Sequence, residues 1–426
     1  MKQYDVRDFG AVGDGKYCCT AAIQAAIDAC KAGEQVVVAG GTYCSGALFL
    51  HSDMSFCVEE GAVLLGSDDI NEYPLYHYRF EGREQLCHAS LLNSADIGDA
   101  KTGDGRYRNG YLENPGQRLK NIVIEGKGTI DANGTVLRRL ESEVGLGCRG
   151  RAIALRNTDG VTLREITVRQ SPAWCVHTIF CTNVLLDHMK ICNKYAEDGT
   201  KYDLVNGDGF DPDSCRHVRV IGCEIESQDD CIAIKSGKDQ EGREMGIPSE
   251  DIEISDCTFR YGFGVAAGSE MSGGVRHVHV KNCVFEDTYS IASVKAPRGR
   301  GGVIEDIVYE NIRHTNNSLE HRDCRWFRGA IYIDQFYSHE TYEEGEYKPA
   351  DETTAVIRDI TFRNIESTTK AGRAVFLMGL PENPLQNITF SHVKAAGLSG
   401  LLVGNTEGLV MEDTVIRAVK TECADY

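Results

Sequence analysis

Residues 161–168 (VTLREITV), 184–191 (VLLDHMKI) and 218–225 (VRVIGCEI) share one pattern of apolar residues. Apolar side chains stand at the first, third, sixth and eighth positions, with a two-residue step in the middle. Alternation of period two is typical of a strand with one buried face, so each copy predicts two short strands joined by a tight corner. The pattern returns at 252–259 and 278–285, and weaker copies begin at Ile122, Ile307, Ile360, Ile388 and Leu409.

The spacing of these copies indicates how the strands assemble. Most successive copies start between 21 and 34 residues apart. A strand followed each time by a crossover helix needs more chain than most of these intervals provide, whereas stacked coils of short strands fit them. The repeat therefore predicts an all-β fold, a single-stranded parallel β-helix. A β-sandwich would need hairpin turns and would not repeat in one fixed phase.

The ends and interruptions of the repeat complete the predicted architecture. An end of a solenoid is an open sheet edge that proteins usually cover, and residues 20–27 (TAAIQAAI) predict a helix that caps the first coil. With nine prolines and no low-complexity tract there is no sign of a linker, so we predict a single domain over 1–426. Aromatic and charged residues interrupt the repeat at about 70–118 and 313–356, where we expect loops beside a binding cleft rather than core.

The charge of the chain limits its partners. Its 45 Lys and Arg stand against 64 Asp and Glu, for a formal net charge of −19. A field of this sign disfavours nucleic acid and anionic membrane surfaces, and no stretch is apolar and long enough to span a bilayer. We therefore predict no nucleic-acid and no membrane partner. An anionic saccharide fits only if Lys and Arg cluster locally. The sequence does not predict the oligomeric state.

The cysteines bear on the compartment. Most of the seventeen lie within apolar strand patterns, as Cys223, Cys257 and Cys283 do. No pair has the spacing of a zinc site, and a buried thiol behaves as a small hydrophobic group. Free thiols persist in a reducing compartment, and residues 1–15 contain no apolar run of signal-peptide length. We expect a cytoplasmic protein with no metal site and no disulfides.

Three aspartates suggest chemistry. The segments that align on a shared serine are 208–214 (DGFDPDS), 230–236 (DCIAIKS) and 263–269 (FGVAAGS). On consecutive coils, about 4.8 Å apart, this alignment sets Asp208 beside Asp229 and Asp230. Acidic residues at corners also face solvent without any function, but clustered carboxylates raise one another's pKa. Such a cluster suits glycoside hydrolysis, which needs a protonated acid beside an ionised base or nucleophile.

The motifs around these aspartates resemble those of the polygalacturonase family of glycoside hydrolases. The similar segments are 206–214 (NGDGFDPDS), 228–237 (QDDCIAIKSG), 171–177 (SPAWCVH), 268–274 (GSEMSGG), 298–302 (RGRGG) and, more weakly, 8–15 (DFGAVGDG). The resemblance covers nearly the whole chain. It implies a right-handed β-helix, an oligosaccharide substrate, hydrolysis with inversion, and no metal or organic cofactor.

The resemblance also implies roles for particular residues. Asp229 corresponds to the general acid, and Asp208 and Asp230 to the carboxylates that activate water. Inversion implies a separation of roughly 6.5–9.5 Å between acid and base. The residues expected to contact the substrate are Asn206, His177, Lys235, Phe263, Lys295, Arg298 and Arg300.

Two positions depart from the family pattern. The family has a histidine where this chain has Phe263, and an arginine where it has Ser293. Replacing a bidentate arginine removes a charge-assisted pair of about 1.5–3 kcal/mol. Phe263 either stacks on a sugar ring or fills the space of the histidine, and the sequence leaves both open. We hypothesise that a sugar without a carboxylate, such as rhamnose, occupies the leaving-group subsite.

The predicted function is therefore exo-acting hydrolysis of galacturonate-containing pectic oligosaccharides, of rhamnogalacturonan type if that hypothesis holds. A cytoplasmic location and cleft-blocking insertions favour exo action on imported oligosaccharides. One alternative is a β-helix polysaccharide lyase, although no further carboxylate cage for calcium is visible. The other is an inactive sugar-binding β-helix, which the two altered motifs favour and the three retained aspartates disfavour.

Overall fold

The structure is a computed structural model that describes residues 1–94, 118–145, 148–320, 327–337 and 346–419. The chain divides into two compact units, Met1–Asp229 and Asp230–Tyr426. The single domain expected over 1–426 stays a prediction. No helix among the described residues is long and apolar enough to cross a membrane.

The first unit consists of short parallel strands in three stacks. The first stack contains Gln3–Asp5, Glu34–Val38, Met54–Val58, Leu119–Glu125, Thr158–Arg164, Thr182–Asp187 and Arg216–Ile221. The second contains Asp14–Cys18, Gly41–Ser45, Ala62–Gly66, Thr129–Asp131, Thr167–Arg169, Lys190–Cys192 and Glu224–Ser227. The third contains Leu48–Leu50, Leu92–Ser94, Ile153–Arg156, Val176–Ile179 and Phe210–Asp213.

The register of these strands follows the sequence repeat. Val161 pairs with Val184, which pairs with Val218, and all three side chains are buried. The two-residue steps are corners at which Glu165 and His188 have φ of 55° and 50°. This left-handed conformation turns the chain from the first stack into the second. The predicted strand–corner–strand unit is thus confirmed.

A helix at Thr20–Ala29 covers the first strand of the third stack. The Gln24 side chain accepts a hydrogen bond from the Phe49 N–H at 2.9 Å and donates one to the Phe49 carbonyl at 3.1 Å. Ile23 and Ile27 are fully buried beneath the helix. Backbone groups of the edge strand Leu48–Leu50 thus gain hydrogen-bond partners. The predicted capping helix is confirmed.

The remaining elements of this unit are an antiparallel hairpin, a second helix and two 3-10 turns. They span Leu75–Phe80 with Arg83–His88, Gly134–Val144, Val6–Phe9 and Ile70–Glu72. The predicted insertion at 70–118 is too wide, because Leu92–Ser94 is a buried strand of the third stack. The polar Asn93 in its middle interrupts the apolar pattern, so the sequence did not indicate this strand. The Asn93 amide donates hydrogen bonds to the Leu48 and Ser90 carbonyls. Residues 95–117 lie outside the described residues.

The second unit also consists of strands in three stacks. Its first and second stacks contain Ser249–Ser255, Thr258–Tyr261, Val275–Lys281, Val284–Glu286, Thr406–Glu407, Val410–Glu412 and Val415–Ala418. Three longer strands run through both stacks: Val303–Asn316, Val356–Thr369 and Leu385–Gly397. The third stack contains Ile232–Ile234, Val265–Ala267, Ala292–Lys295, Gly329–Asp334, Arg373–Met378 and Ser399–Gly404, and a helix spans Asp239–Met245.

The repeat is in register here too. Its copies at Ile252, Val278, Ile307, Ile360 and Ile388 stack in that order. At the corners, the Asn311 amide donates to Asn282 at 3.1 Å, and Asn364 donates to Asn311 at 3.1 Å. Asparagine suits these positions because it tolerates a left-handed backbone.

The predicted insertion at 313–356 is also too wide. It includes the end of the strand Val303–Asn316 and the strand Gly329–Asp334. Every residue of Gly329–Asp334 is buried, so the strand lacks the polar alternation by which the others were recognised. Residues 321–326 and 338–345 lie outside the described residues. Each unit is a stretch of right-handed parallel β-helix, which confirms the predicted fold class.

Candidate active site

Two of the three motif aspartates meet in the first unit. An oxygen of Asp208 and an oxygen of Asp229 lie within 4.8 Å of each other. The Asp208 carbonyl accepts a hydrogen bond from the Cys175 N–H at 2.8 Å, and the Asp229 N–H donates to the Gly207 carbonyl at 3.4 Å. This last bond brings the chain after Glu224–Ser227 back against the residue before Asp208. An inverting pair is recognised by the separation of its carboxyl groups, which the nearest-oxygen distance does not give. Inversion therefore stays a prediction.

The third aspartate has a cationic partner in the second unit. An oxygen of Asp230 accepts a hydrogen bond from the Lys295 ammonium at 2.6 Å, and both side chains are buried. Burial alone would lower the pKa of Lys295, but Asp230, followed by Tyr337, raises that pKa well above its usual value. Lys295 is therefore charged and holds Asp230 as a carboxylate. Asp229 and Asp230 are consecutive, so their Cα atoms lie about 3.8 Å apart.

The other cations predicted to bind substrate are paired with carboxylates of the second unit. Lys235 lies 3.2 Å from Glu270, and Arg298 donates to both oxygens of Glu382, at 2.7 and 3.0 Å. Arg300 donates to Asp239 and, at 2.8 Å, to the Ser269 carbonyl. A bound galacturonate carboxylate would compete with these internal partners. Their substrate-binding roles stay predictions.

Residues 99–408 match the model of the glycosyl hydrolases family 28, and this match covers more than half of the chain. The chain belongs to glycosyl hydrolase family 28. Residues 3–57 also match a model described as rhamnogalacturonase A/epimerase, pectate lyase-like. The family 28 assignment makes the chain a glycosyl hydrolase of the polygalacturonase family, as its motifs predicted.

Named relatives of this family 28 chain include plant and bacterial proteins. A probable polygalacturonase of Vitis vinifera is 30% identical over 91% of this chain and 72% of its own length. An exo-poly-alpha-D-galacturonosidase of Dickeya chrysanthemi is 26% identical over 93% of this chain and 68% of its own length.

Two solved structures share the fold. An exopolygalacturonase of Thermotoga maritima superimposes with a TM-score of 0.69 at 22% identity, covering 96% of this chain and 92% of that one. A family 28 exopolygalacturonase of Yersinia enterocolitica gives 0.69 at 21% identity, covering 99% and 79%.

The two positions that depart from the family 28 pattern touch each other. The Ser293 hydroxyl donates to the Phe263 carbonyl at 2.9 Å and lies 2.7 Å from the Ser290 hydroxyl. The Phe263 ring packs against Tyr289, with ring centroids 5.2 Å apart, in a cluster that includes Phe327. Ser293 is fully buried, whereas Phe263 is half-buried. The phenylalanine thus fills space inside an aromatic cluster and still keeps an accessible part of its ring.

His177 and Asn206 serve the scaffold of the first unit. The His177 ring is fully buried, and its centroid lies 4.9 Å from that of Trp174 and 5.5 Å from that of Tyr78. Aromatic rings therefore enclose the His177 side chain. The Asn206 side-chain oxygen accepts a hydrogen bond from Arg149 at 2.7 Å. Direct substrate contacts of these two residues stay predictions.

A group of buried arginines was missed by the sequence analysis. Arg79 of the hairpin donates to Asp213 at 2.8 Å, and both side chains are fully buried. Arg156 of the third stack donates to Glu84 of the hairpin at 3.0 Å. The Arg151 guanidinium lies 4.8 Å from the centre of the Trp174 ring. These contacts fasten the hairpin onto the stack that contains Phe210–Asp213.

Proposed function

We propose that this family 28 hydrolase is an exo-acting enzyme that cleaves galacturonate-containing pectic oligosaccharides. The observation that carries the proposal is the pair of carboxylates at Asp208 and Asp229, followed in the chain by an Asp230 that Lys295 holds ionised. A relative whose name specifies exo action on poly-alpha-D-galacturonate supports the substrate class. A cation that keeps one carboxylate charged beside others is the arrangement that acid–base hydrolysis needs.

In the proposed mechanism Asp229 is the general acid. Its carboxyl proton passes to the glycosidic oxygen as the bond from that oxygen to the anomeric carbon breaks. A water molecule attacks the same carbon from the opposite face and gives its proton to Asp208 or Asp230, which inverts the anomeric centre. Lys295 favours the charged form of Asp230, so Asp230 is ready to act as a base over a wide range of pH.

Exo action is supported by the hairpin Leu75–Phe80 with Arg83–His88. Its Arg79 is buried against Asp213, in the strand that directly follows the loop of Asp208. Its Phe80 ring stacks on Trp174 at a centroid distance of 5.2 Å and an interplanar angle of 7°. A hairpin fixed this firmly would limit the length of a groove beside Asp208, which suits a chain end better than the middle of a polymer.

The identity of the leaving sugar is a second part of the proposal. Ser293 and Phe263 replace the expected arginine and histidine and bind each other, while the neighbouring cation Lys295 is committed to Asp230. A subsite with an apolar ring and no arginine favours a leaving sugar without a carboxylate. Rhamnogalacturonan fragments are therefore the second candidate substrate.

A paired substrate screen tests the proposal. Purified protein is given oligogalacturonides and rhamnogalacturonan oligosaccharides of equal length, and products are followed by anion-exchange chromatography. We expect release of single residues from one chain end, with faster turnover of the rhamnogalacturonan series. Early products of mixed length would contradict exo action, and rapid turnover of oligogalacturonides alone would contradict the neutral leaving sugar. An unsaturated, ultraviolet-absorbing product would indicate a lyase, and no turnover of either series would favour an inactive binding protein.

We also propose that the enzyme works in a reducing compartment such as the cytoplasm. All fifteen cysteines in the part of the chain that the structure describes are free thiols. Most of them are buried and pack as small hydrophobic groups. Fractionation of the source cells tests this directly, since recovery with secreted proteins would contradict it.

A further inference from the structure

Arg149 connects three segments of the first unit around the loop that contains Asp208. One guanidinium nitrogen donates to the Pro172 carbonyl at 2.9 Å and to the Val205 carbonyl at 2.7 Å. The other terminal nitrogen donates to the Asn206 side-chain oxygen at 2.7 Å. Two of these three acceptors immediately precede Gly207 and Asp208.

The loop depends on such contacts because it has no regular structure of its own. Residues 202–209 form neither helix nor strand. Asn206 has a left-handed backbone, with φ of 52°, which few residues other than glycine and asparagine adopt at low cost. The Gly207 carbonyl that follows accepts the N–H of Asp229. Asn206 thus directly precedes the residue whose carbonyl links the two carboxylate-bearing segments.

Arg149 is itself held in place. Its side chain is 15% exposed, and its Nε lies 3.4 Å from an oxygen of Glu141 on the helix Gly134–Val144. Its guanidinium also lies 5.6 Å from the centre of the Phe80 ring on the hairpin. A planar group with several donors and a fixed position can orient a loop, whereas a flexible ammonium with one nitrogen cannot reach the same set of acceptors.

We propose that Arg149 is a positioning residue for hydrolysis, holding the loop Val205–Gly207 so that the Asp208 carboxylate faces that of Asp229. This inference rests on the proposed function, because it matters for catalysis only if Asp208 activates water. It requires no contact between Arg149 and the substrate. A purely structural arginine would change stability and leave the reaction of the folded enzyme intact.

The test compares Arg149→Lys with Arg138→Lys in the full chain. Arg138 is the matched control, because it lies on the helix Gly134–Val144 and pairs at 2.8 Å with Asp203, at the start of the same loop. For Arg149→Lys we expect kcat to fall about 10- to 100-fold, as for a misplaced catalytic group, with KM changed less than about threefold. Arg138→Lys should keep the wild-type kcat.

A second readout separates Arg149 from the general acid. Galacturonosyl fluoride loses fluoride without needing a proton on the leaving group, so its hydrolysis depends on the base and much less on the acid. Arg149→Lys should slow the fluoride and the oligosaccharide by similar factors, whereas Asp229→Asn should slow mainly the oligosaccharide. If Arg149→Lys melts well below the wild type, Asn206→Gly, which removes the acceptor and still tolerates the left-handed backbone, is measured instead and should show a smaller loss of kcat.

The outcomes distinguish this inference from the proposed function. A wild-type kcat in Arg149→Lys, or in a folded Asn206→Gly, together with inactivity of Asp208→Asn would overturn the positioning role and leave the catalytic assignment standing. Full activity of Asp208→Asn would overturn the catalytic assignment itself. Loss of kcat on both substrates in Arg149→Lys, with Arg138→Lys active, would support the inference.

Discussion

The ammonium of Lys295 lies 2.6 Å from a carboxylate oxygen of Asp230, and the two side chains are only 6% and 5% exposed. A buried ion pair of this kind fixes the charge of both partners, because neither is stable alone away from water. Lys295 is thus placed to keep the Asp230 carboxylate ionised.

Replacing Lys295 with methionine should shift the pH dependence of activity. Without the adjacent positive charge the pKa of Asp230 rises, so the base is lost at a higher pH. The acidic limb of the kcat/KM profile should move upward by about one pH unit or more. The control is Lys235→Met, which breaks a similar buried pair with Glu270 and should leave that limb in place. An unmoved limb in Lys295→Met would contradict the role given to Lys295.

Asp213→Asn should destabilise the fold. The variant leaves the fully buried Arg79 with only the more distant Glu84, at 3.8 Å, as a carboxylate partner, which costs up to about 3–5 kcal/mol in the free energy of unfolding. Burial alone would raise the pKa of Asp213, but Arg79 and then His177 outweigh it and hold that pKa below the usual range. The stabilisation is therefore present above the ordinary aspartate pKa and is lost as the pH falls towards the depressed value.

Urea unfolding of Asp213→Asn at several pH values measures this effect. The difference from the wild type should be largest near neutral pH and shrink in acid. Asp5→Asn is the matched control, because Asp5 pairs with an exposed Arg7 and the loss should stay below about 1 kcal/mol. Equal losses in the two variants would show that the hairpin is not fastened by Arg79.

Replacing Ser293 with the arginine expected from the family should lower both the stability of the protein and its turnover of oligogalacturonides. The Ser293 hydroxyl is fully buried between Ser290 and the Phe263 carbonyl, so the larger side chain would overpack the site by about 1–3 kcal/mol. Thermal melting and turnover of oligogalacturonides measure the outcome, and both should decrease. Ser293→Ala, which only removes the hydroxyl, is the control and should cost about 1 kcal/mol. A stable Ser293→Arg protein with faster galacturonate release would refute the packing argument, because it would show that the site still admits an arginine.

Replacing Glu141 with glutamine should change how the melting temperature of the protein depends on pH. Burial raises the pKa of Glu141 to about 7, although Arg149 acts to lower it. The protonated form is therefore favoured in the folded state, and this contribution is full below the ordinary glutamate pKa and is lost as the pH rises through about 7. Relative to the wild type, Glu141→Gln should melt at a similar temperature at pH near 4 and at a higher one at pH near 8. Glu143→Gln on the same helix should show no such trend.

The sequence predicted what is local and periodic. The apolar positions of the repeat, the corners at Glu165 and His188 and the capping helix all follow from spacing over a few residues. The strands Leu92–Ser94 and Gly329–Asp334 were missed, because neither shows the alternation of a half-buried strand. The alternating sequence pattern therefore identifies strands that have one face in solvent or at a corner. It does not identify strands that are buried on both faces.

The pairing of charges could not be predicted in the same way. Arg79 and Asp213 are 134 positions apart, and nothing in the sequence near either residue announces the other. From the sequence, Arg298 and Arg300 were expected to bind the substrate. In the structure each forms an ion pair with a carboxylate of the chain itself. Arg149 follows directly after Cys148 in a segment without any motif. Motifs identified the aspartates, but only the fold shows which cations are already used.

Asp229→Asn in an assay on an oligogalacturonide and on a rhamnogalacturonan oligosaccharide tests the central claim most directly. We expect the wild type to release single residues from one end of at least one of them. Asp229→Asn should slow this release by about 10²- to 10⁴-fold while the protein melts at nearly the wild-type temperature. Undiminished hydrolysis by Asp229→Asn would contradict the assignment of Asp229 as the general acid, and with it the proposed mechanism.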